Sequence, residues 1–162
     1  ARILANEGLS LEDKLLLSIA ALFHDTGFID QYIENEPKCA EKAREYMTKM
    51  GYSEEQISVV ENAILNTNMK EPPKNKIEQI LRDADLAYLG FRKRGFIAGI
   101  EKLRQETLSY KESPLYNAAQ SKEIWYRSSI GFMEKHEWFS NAAKERFDEK
   151  KRKNLEYLRS QL

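Results

Sequence analysis

A histidine and an aspartate stand side by side at the end of an apolar run, in the stretch ALFHDTGF at residues 21–28. An imidazole nitrogen together with carboxylate oxygens is a donor set that suits Zn, Fe, Mn, Co or Ni. A polar pair at a helix end has a second interpretation, in which His24 binds free carbonyls and Asp25 binds amides of the following turn. The dipeptide is common by chance, so the choice between these interpretations depends on ligands elsewhere in the chain.

A second candidate ligand lies in the stretch KIEQILRDADLAYLG, residues 76–90. Helical spacing places Asp85 on one stripe with Leu81 and Leu89, so we expect its carboxylate to be buried, and it places Asp83 nearer the polar side. A carboxylate buried among apolar side chains is costly unless it is paired, hydrogen-bonded or bound to a metal. The pattern therefore predicts a partner for Asp85, either an arginine or a metal ion shared with the His-Asp pair.

Helical periodicity runs through the whole sequence, and no alternating strand pattern exceeds a few residues. The pattern predicts an all-α fold, a single compact domain over residues 1–162 with about seven helices. Residues 113–162 are expected to form a C-terminal helical extension packed on the rest.

Several residues are expected to begin or end these helices. Two pairs, Ser10 with Asp13 and Ser53 with Gln56, have the spacing of capping boxes. One long helix is expected from Ser113, as its cap, to His136. The apolar helix that begins after Ser10 is expected to be buried at the centre of the domain. Three glycines are expected to end helices, namely Gly27, Gly51 and Gly90.

Composition narrows the class of protein. Lys and Arg number 26, as do Asp and Glu, so the overall charge does not favour a nucleic-acid partner. No apolar run approaches the length of a membrane span and no signal peptide opens the chain, so we expect no membrane association and a cytoplasmic protein. The single cysteine, Cys39, cannot form an internal disulfide, and we expect it to be a small core residue in a reducing compartment.

Four stretches, taken in their order, carry a resemblance: LLLSIAALFHDTGF, GYSEEQI, AILNTN followed by a Pro pair, and ILRDADLAYLG. Together they resemble the HD superfamily of metal-dependent phosphohydrolases, and more narrowly its small bacterial members described as predicted phosphohydrolases. The likeness covers about the first 100 residues and extends more loosely to residues 132–158. It implies an HD-domain-like helical bundle.

The resemblance also implies a ligand set. His24 and Asp25 match the family's doublet and Asp85 matches its distant aspartate, which together hold one divalent metal ion (Mn, Fe, Ni, Co, Zn or Mg). The family pattern includes an earlier histidine, and no His precedes His24 in this chain. Because Ala1 is expected to lie within a helix, in ARILANEG, we expect that histidine upstream of the given residues; otherwise the chain is a degenerate member.

The family's binuclear members carry further histidines in two middle helices. Asn35 and Thr67 stand at the corresponding places here, so the resemblance implies one metal ion rather than two.

The family pattern also suggests catalytic and substrate-binding groups. Asp83 or Glu36 is expected to orient or deprotonate the attacking water. The cations expected to contact a substrate phosphate, or alternatively to form a solvated loop, are Lys70, Arg92, Lys93 and Arg94. The implied function is hydrolysis of a small-molecule phosphoester, a nucleotide or a related compound, with the C-terminal helices as candidates for a homodimer interface. The alternative is a non-catalytic HD-type domain that serves in regulation or interaction.

Overall fold

The computed structural model of the chain describes residues 8–162. Over these residues every regular element is helical, with eight α-helices, two 3₁₀ helices and no strand, which confirms the predicted all-α fold. The helix predicted over ARILANEG lies outside the described residues except for its last residue, Gly8. No helix in the described part of the chain is long and apolar enough to cross a membrane.

The helices form two compact units, one ending at Asp85 and the next beginning at Leu86. The first unit contains α1 (Leu11–Phe23), a 3₁₀ helix (Thr26–Ile29), α2 (Glu36–Lys49), α3 (Glu54–Asn66) and α4 (Lys76–Asp85). The second contains a 3₁₀ helix (Leu86–Gly90), α5 (Lys93–Ser109), α6 (Tyr116–Gln120), α7 (Lys122–Lys135) and α8 (Asn141–Arg159). The single-domain organisation, with an extension from residue 113, stays a prediction.

Both predicted capping boxes are present. The Asp13 N–H donates to Ser10 Oγ (3.0 Å), and the Ser10 N–H donates back to the Asp13 carboxylate (3.3 Å). Ser53 and Gln56 make the same reciprocal pair at the start of α3. Each box satisfies backbone donors that have no partner inside the helix, so the sequence specifies where α1 and α3 begin.

Helix α1 packs against α2, α3 and α4, but it buries only one face. Leu11, Leu15 and Leu22 are 87%, 49% and 74% exposed, whereas Leu16 and Leu17 are buried. The prediction of a helix buried at the centre of the domain is therefore wrong for this face. Apolar content shows what a helix can bury, and the number of neighbouring helices decides how much of it is covered.

Two of the three expected helix-ending glycines have other roles. Gly51 follows α2 with φ of 80°, a conformation that favours glycine. Helix α1, however, ends at Phe23, where the Thr26 hydroxyl donates to the Phe23 carbonyl (2.8 Å) before Gly27 is reached. Helix α4 ends at Asp85 and the chain tightens into a 3₁₀ helix that includes Gly90.

The long helix expected from Ser113 is interrupted. Ser121 has an extended backbone, with φ of −108° and ψ of 124°, and its hydroxyl accepts from the Ile124 N–H (3.3 Å) to cap α7. Ser113 instead accepts from the Leu115 N–H (3.3 Å) within a turn. A serine has a strong preference for the N-cap position, so the second serine divides the segment into α6 and α7.

In the second unit, a buried asparagine holds the 3₁₀ helix against α8. The side-chain amide of Asn154 donates to the carbonyls of Leu89 (2.8 Å) and Phe91 (2.9 Å). Gly90 lies against Phe147, where a Cβ at residue 90 would stand 2.3 Å from the Phe147 Cβ. His136 ends α7 with its ring edge-on to Trp138, at a centroid distance of 4.4 Å.

Candidate metal centre

Three side chains of the first unit converge at the end of α1. His24 Nε2 lies 3.2 Å from Asp25 Oδ2 and 3.5 Å from Asp85 Oδ1. One donor atom from each residue lies within 4.8 Å of the others, a spacing that suits ligands of a single ion. The structure thus brings together the three residues predicted as metal ligands, although Asp85 is distant from the pair in sequence.

Local structure fixes which nitrogen of His24 is available. The residue is the C-cap of α1, and its backbone N–H donates to the Ala20 carbonyl (2.9 Å). The ring nitrogen Nδ1 lies 2.9 Å from the Ala21 carbonyl, so Nδ1–H is the donor there. Metal-binding histidines commonly donate their second ring N–H in this way, which makes Nε2 the nitrogen that could bind a metal.

Asp25 begins the turn that follows α1. It precedes the 3₁₀ helix Thr26–Ile29 with φ of −111° and ψ of 0°, and its side chain makes no capping hydrogen bond. The side chain is 60% exposed, and its carboxylate faces the His24 ring. The position of this carboxylate therefore depends on the backbone of the turn.

The burial of the two α4 aspartates is the reverse of the prediction. Asp83 is fully buried, whereas the side chain of Asp85 is 33% exposed. The leucine stripe does not continue through Asp85, because α4 ends there and the following residues wind as a 3₁₀ helix. At the last position of α4, Asp85 is open enough to serve as a ligand, and the inference that it needed a partner because of burial was wrong.

The two carboxylates control the charge of the imidazole. Burial of the ring favours its neutral form, but hydrogen bonds and charge from Asp25 and Asp85 outweigh this and raise the pKa of His24 from 6.5 to about 10. At neutral pH and without an ion, His24 is therefore protonated beside the carboxyl groups of Asp25 and Asp85. A divalent cation at the same place would displace one proton from the ring.

The predicted catalytic residues lie outside this three-residue cluster. Glu36 is the first residue of α2 and is half-buried, and Asp83 is enclosed within α4. Asn35 and Thr67, which stand where binuclear relatives carry histidines, bind nearby backbone and side-chain groups of their own segments.

The predicted substrate-binding cations lie in both units. In the first unit, Lys70 is exposed and its Nζ pairs with Glu34 at 2.6 Å. The hydrogen bond to Glu34 and the charge of that carboxylate raise the pKa of Lys70. In the second unit, Arg92, Lys93 and Arg94 are exposed at the start of α5, and Lys93 Nζ lies 3.8 Å from the Tyr157 ring centroid.

Sequence reasoning missed the residues of α2 that hold the turn after Asp25. The Gly27 N–H donates to Cys39 Sγ (3.1 Å), and Lys42 Nζ donates to the Thr26 carbonyl (3.0 Å). The prediction of Cys39 as a buried small residue is confirmed, but its contact with the turn was not foreseen. The three-residue spacing of Cys39 and Lys42, which puts them on one helix face, was the available signal.

The fold and the site define an all-helical protein with a His-Asp-Asp cluster of metal-ligand type. No protein-family model matches the chain, and no curated protein or solved structure matches it.

Proposed function

We propose that this chain is a metal-dependent phosphohydrolase that acts on a small phosphoester, a nucleotide or a related compound, through a water bound to one metal ion. The observation that carries the proposal is the convergence of His24 Nε2 with the carboxylates of Asp25 and Asp85. The motif resemblance to HD phosphohydrolases supports it, because the same three residues match that family's doublet and distant aspartate.

The donor set fits a divalent ion with room for substrate. It offers one imidazole nitrogen in a fixed tautomer and two carboxylates, a combination suited to Mn, Fe, Ni, Co or Zn and usable by Mg. The exposure of Asp25 and Asp85 leaves one side of the cluster open to solvent. An ion held by these three side chains would be reachable by water and by a substrate phosphate from that side.

A divalent ion supplies a bound water of lowered pKa and polarises a phosphoryl oxygen. His24, Asp25 and Asp85 would hold it. Glu36, half-buried at the start of α2, is the proposed group for accepting the water's proton. Asp83 has no exposed surface, so its proposed role is to orient neighbouring groups of α4.

Substrate phosphate requires cations, and the proposed contact in the first unit is Lys70. Contact of substrate with Arg92, Lys93 and Arg94, which lie in the second unit, stays a prediction from the sequence. For Lys70, contact with substrate requires it to leave its ion pair with Glu34. That pair is exposed at both ends, each side chain being 65% accessible, so the exchange costs little.

A non-catalytic regulatory or interaction domain is the second candidate. The observation that favours it is that the described residues bring only three candidate ligands together, His24, Asp25 and Asp85. In either case we propose a cytoplasmic protein, with a homodimer through the C-terminal helices as a further part of the proposal.

The test is elemental analysis of the protein purified without chelator, beside a His24→Ala/Asp25→Ala variant. The matched control is His136→Ala, which removes the other histidine of the chain, in the second unit. We expect about one equivalent of a transition metal in the wild type and the control and none in the double variant. A panel of phosphoesters with the loaded protein then tests turnover.

The outcomes separate the candidates. A wild type that contains no metal and shows no thermal shift with Mn, Ni or Zn refutes the metal site and the hydrolase together. A bound ion without turnover of any phosphoester, in a chain extended upstream, favours the regulatory domain.

A further inference from the structure

The turn that carries Asp25 is shaped by hydrogen bonds to α1 and within the turn itself. At its start, the Thr26 hydroxyl donates to the Phe23 carbonyl (2.8 Å) and ties the turn to α1. Within it, the N–H groups of Asp30 and Gln31 both donate to the Gly27 carbonyl (2.9 Å each). These bonds shape the turn and join it to α1, but none of them attaches it to α2.

Helix α2 provides that attachment, first through close packing. A Cβ at residue 27 would stand 2.4 Å from the Asn35 carbonyl oxygen and 2.8 Å from Cys39 Sγ, so only glycine fits there. The Gly27 N–H donates to Cys39 Sγ (3.1 Å), but a thiol is a weak acceptor. This contact therefore holds the turn in place by close packing more than by the strength of its hydrogen bond.

The strong attachment comes from Lys42, which lies on the same face of α2 as Cys39. Its Nζ donates to the Thr26 carbonyl (3.0 Å) and pairs with the Asp30 carboxylate (2.7 Å), so one ammonium group joins both ends of the turn. Hydrogen bonds from an ionised donor are roughly twice as strong as neutral ones. The Lys42 side chain is 34% exposed, so solvent screens its interaction with Asp30 only in part.

We propose that Lys42 is a positioning residue for the metal centre. By holding the Thr26 carbonyl and Asp30 against α2, it keeps the backbone of Asp25 where its carboxylate meets His24 Nε2. Asp25 makes no capping hydrogen bond that would fix its side chain, so any movement of the turn would move its carboxylate as well. The inference rests on the proposed function only in treating Asp25 as a metal ligand.

The direct test is Lys42→Met, which keeps the aliphatic stem and removes the ammonium group. Groups that orient a metal ligand typically change metal affinity by about 10- to 100-fold, and we expect a loss in that range for Mn²⁺, measured by electron paramagnetic resonance. Lys42→Arg keeps a cationic donor and should recover most of the affinity. The matched control is Lys38→Met on the same helix, since Lys38 pairs with Glu41 (2.8 Å).

A structural role alone would lower the melting temperature without changing the ion's surroundings. The absorption spectrum of bound Co²⁺ separates the two, because altered ligand geometry changes its visible bands. We expect a changed spectrum in Lys42→Met and an unchanged one in Lys38→Met. Equal Mn²⁺ affinity and identical Co²⁺ spectra in both variants would overturn the inference, whatever the melting temperatures.

Amide hydrogen exchange in the ion-free protein keeps this test independent of the metal. The Asp30 and Gln31 amides should exchange at least about tenfold faster in Lys42→Met than in Lys38→Met, since both report on the turn. Unchanged exchange overturns the role of Lys42 even if no ion binds. A wild type that binds no Mn²⁺, with faster exchange in Lys42→Met, counts against the proposed metal function and leaves the attachment by Lys42 supported.

Discussion

Binding of a divalent cation at His24 should release close to one proton per ion at pH 7. Asp25 and Asp85 hold the imidazole in its protonated form by raising its pKa to about 10, and an ion can bind Nε2 only after that proton leaves. Metal affinity is therefore tested by changing the pH. Metal affinity should rise with pH over the whole range in which His24 is still protonated.

The size of the effect follows from the gap between pH and pKa. With the pKa of His24 at about 10, the ion must offset about 4 kcal/mol at pH 7, because each pKa unit corresponds to about 1.4 kcal/mol. The apparent affinity should increase about tenfold for each pH unit between about 6.5 and 8.5. A histidine with an unshifted pKa would release only about 0.2 proton at pH 7, and its affinity would level off above that pH.

Titration calorimetry with Mn²⁺ measures this directly. Experiments in buffers with different ionisation enthalpies give the number of protons released per ion, and repetition across pH gives the slope of affinity. Release of about 0.2 proton, or an affinity that is constant above pH 7, would show that the carboxylates do not hold the His24 proton and would refute the raised pKa.

Ion-free protein should show the opposite pH dependence. A pKa raised in the folded state stabilises the fold below the unfolded value of 6.5, and this contribution is lost as pH rises toward about 10. Urea unfolding of chelator-treated protein should therefore show stability falling over that window. A His24→Asn variant lacks the titrating group, and the same slope in this variant would assign the effect to other residues.

Two substitutions test the packing that supports each unit. Gly27→Ala forces a Cβ to within 2.4 Å of the Asn35 carbonyl, so we expect a loss of about 1–3 kcal/mol in urea unfolding and weaker Mn²⁺ binding. The control Gly131→Ala, at an open position inside α7, should not lower stability and should leave Mn²⁺ binding unchanged. Asn154→Leu removes the buried donor to the Leu89 and Phe91 carbonyls, so we expect the free energy of unfolding to fall by about 1–3 kcal/mol. The control is Asn117→Leu at an exposed position of α6, and an equal or larger loss in this control would contradict the structure.

Local chemistry made much of the helical framework predictable. The capping boxes at Ser10 and Ser53 act within four residues, so their spacing alone located the starts of α1 and α3. The interruption at Ser121 is also local, but serines are common and only the packed structure selects which of them caps a helix. For the same reason, Gly27 and Gly90 were recognised as special residues but assigned the wrong role.

The candidate ligands were also identified from the sequence, because His24, Asp25 and Asp85 stand in recognisable motifs. The burial of the aspartates on α4 was not predicted correctly. Whether a carboxylate on α4 is buried depends on where that helix ends and what packs beside it. As a result, Asp83 is buried and Asp85 is partly exposed, the reverse of the prediction.

Tertiary structure alone decided how the ligands meet. The approach of Asp85 to His24 Nε2 requires α1 and α4 to end at the same place in the first unit, and the attachment of the Asp25 turn by Lys42 requires α2 to pack beside it. Contacts of this kind join segments that are distant in the chain, and no local pattern encodes them. The sequence by itself determined the helices and the donor atoms, whereas the fold determined their distances and the proton that a metal ion must displace.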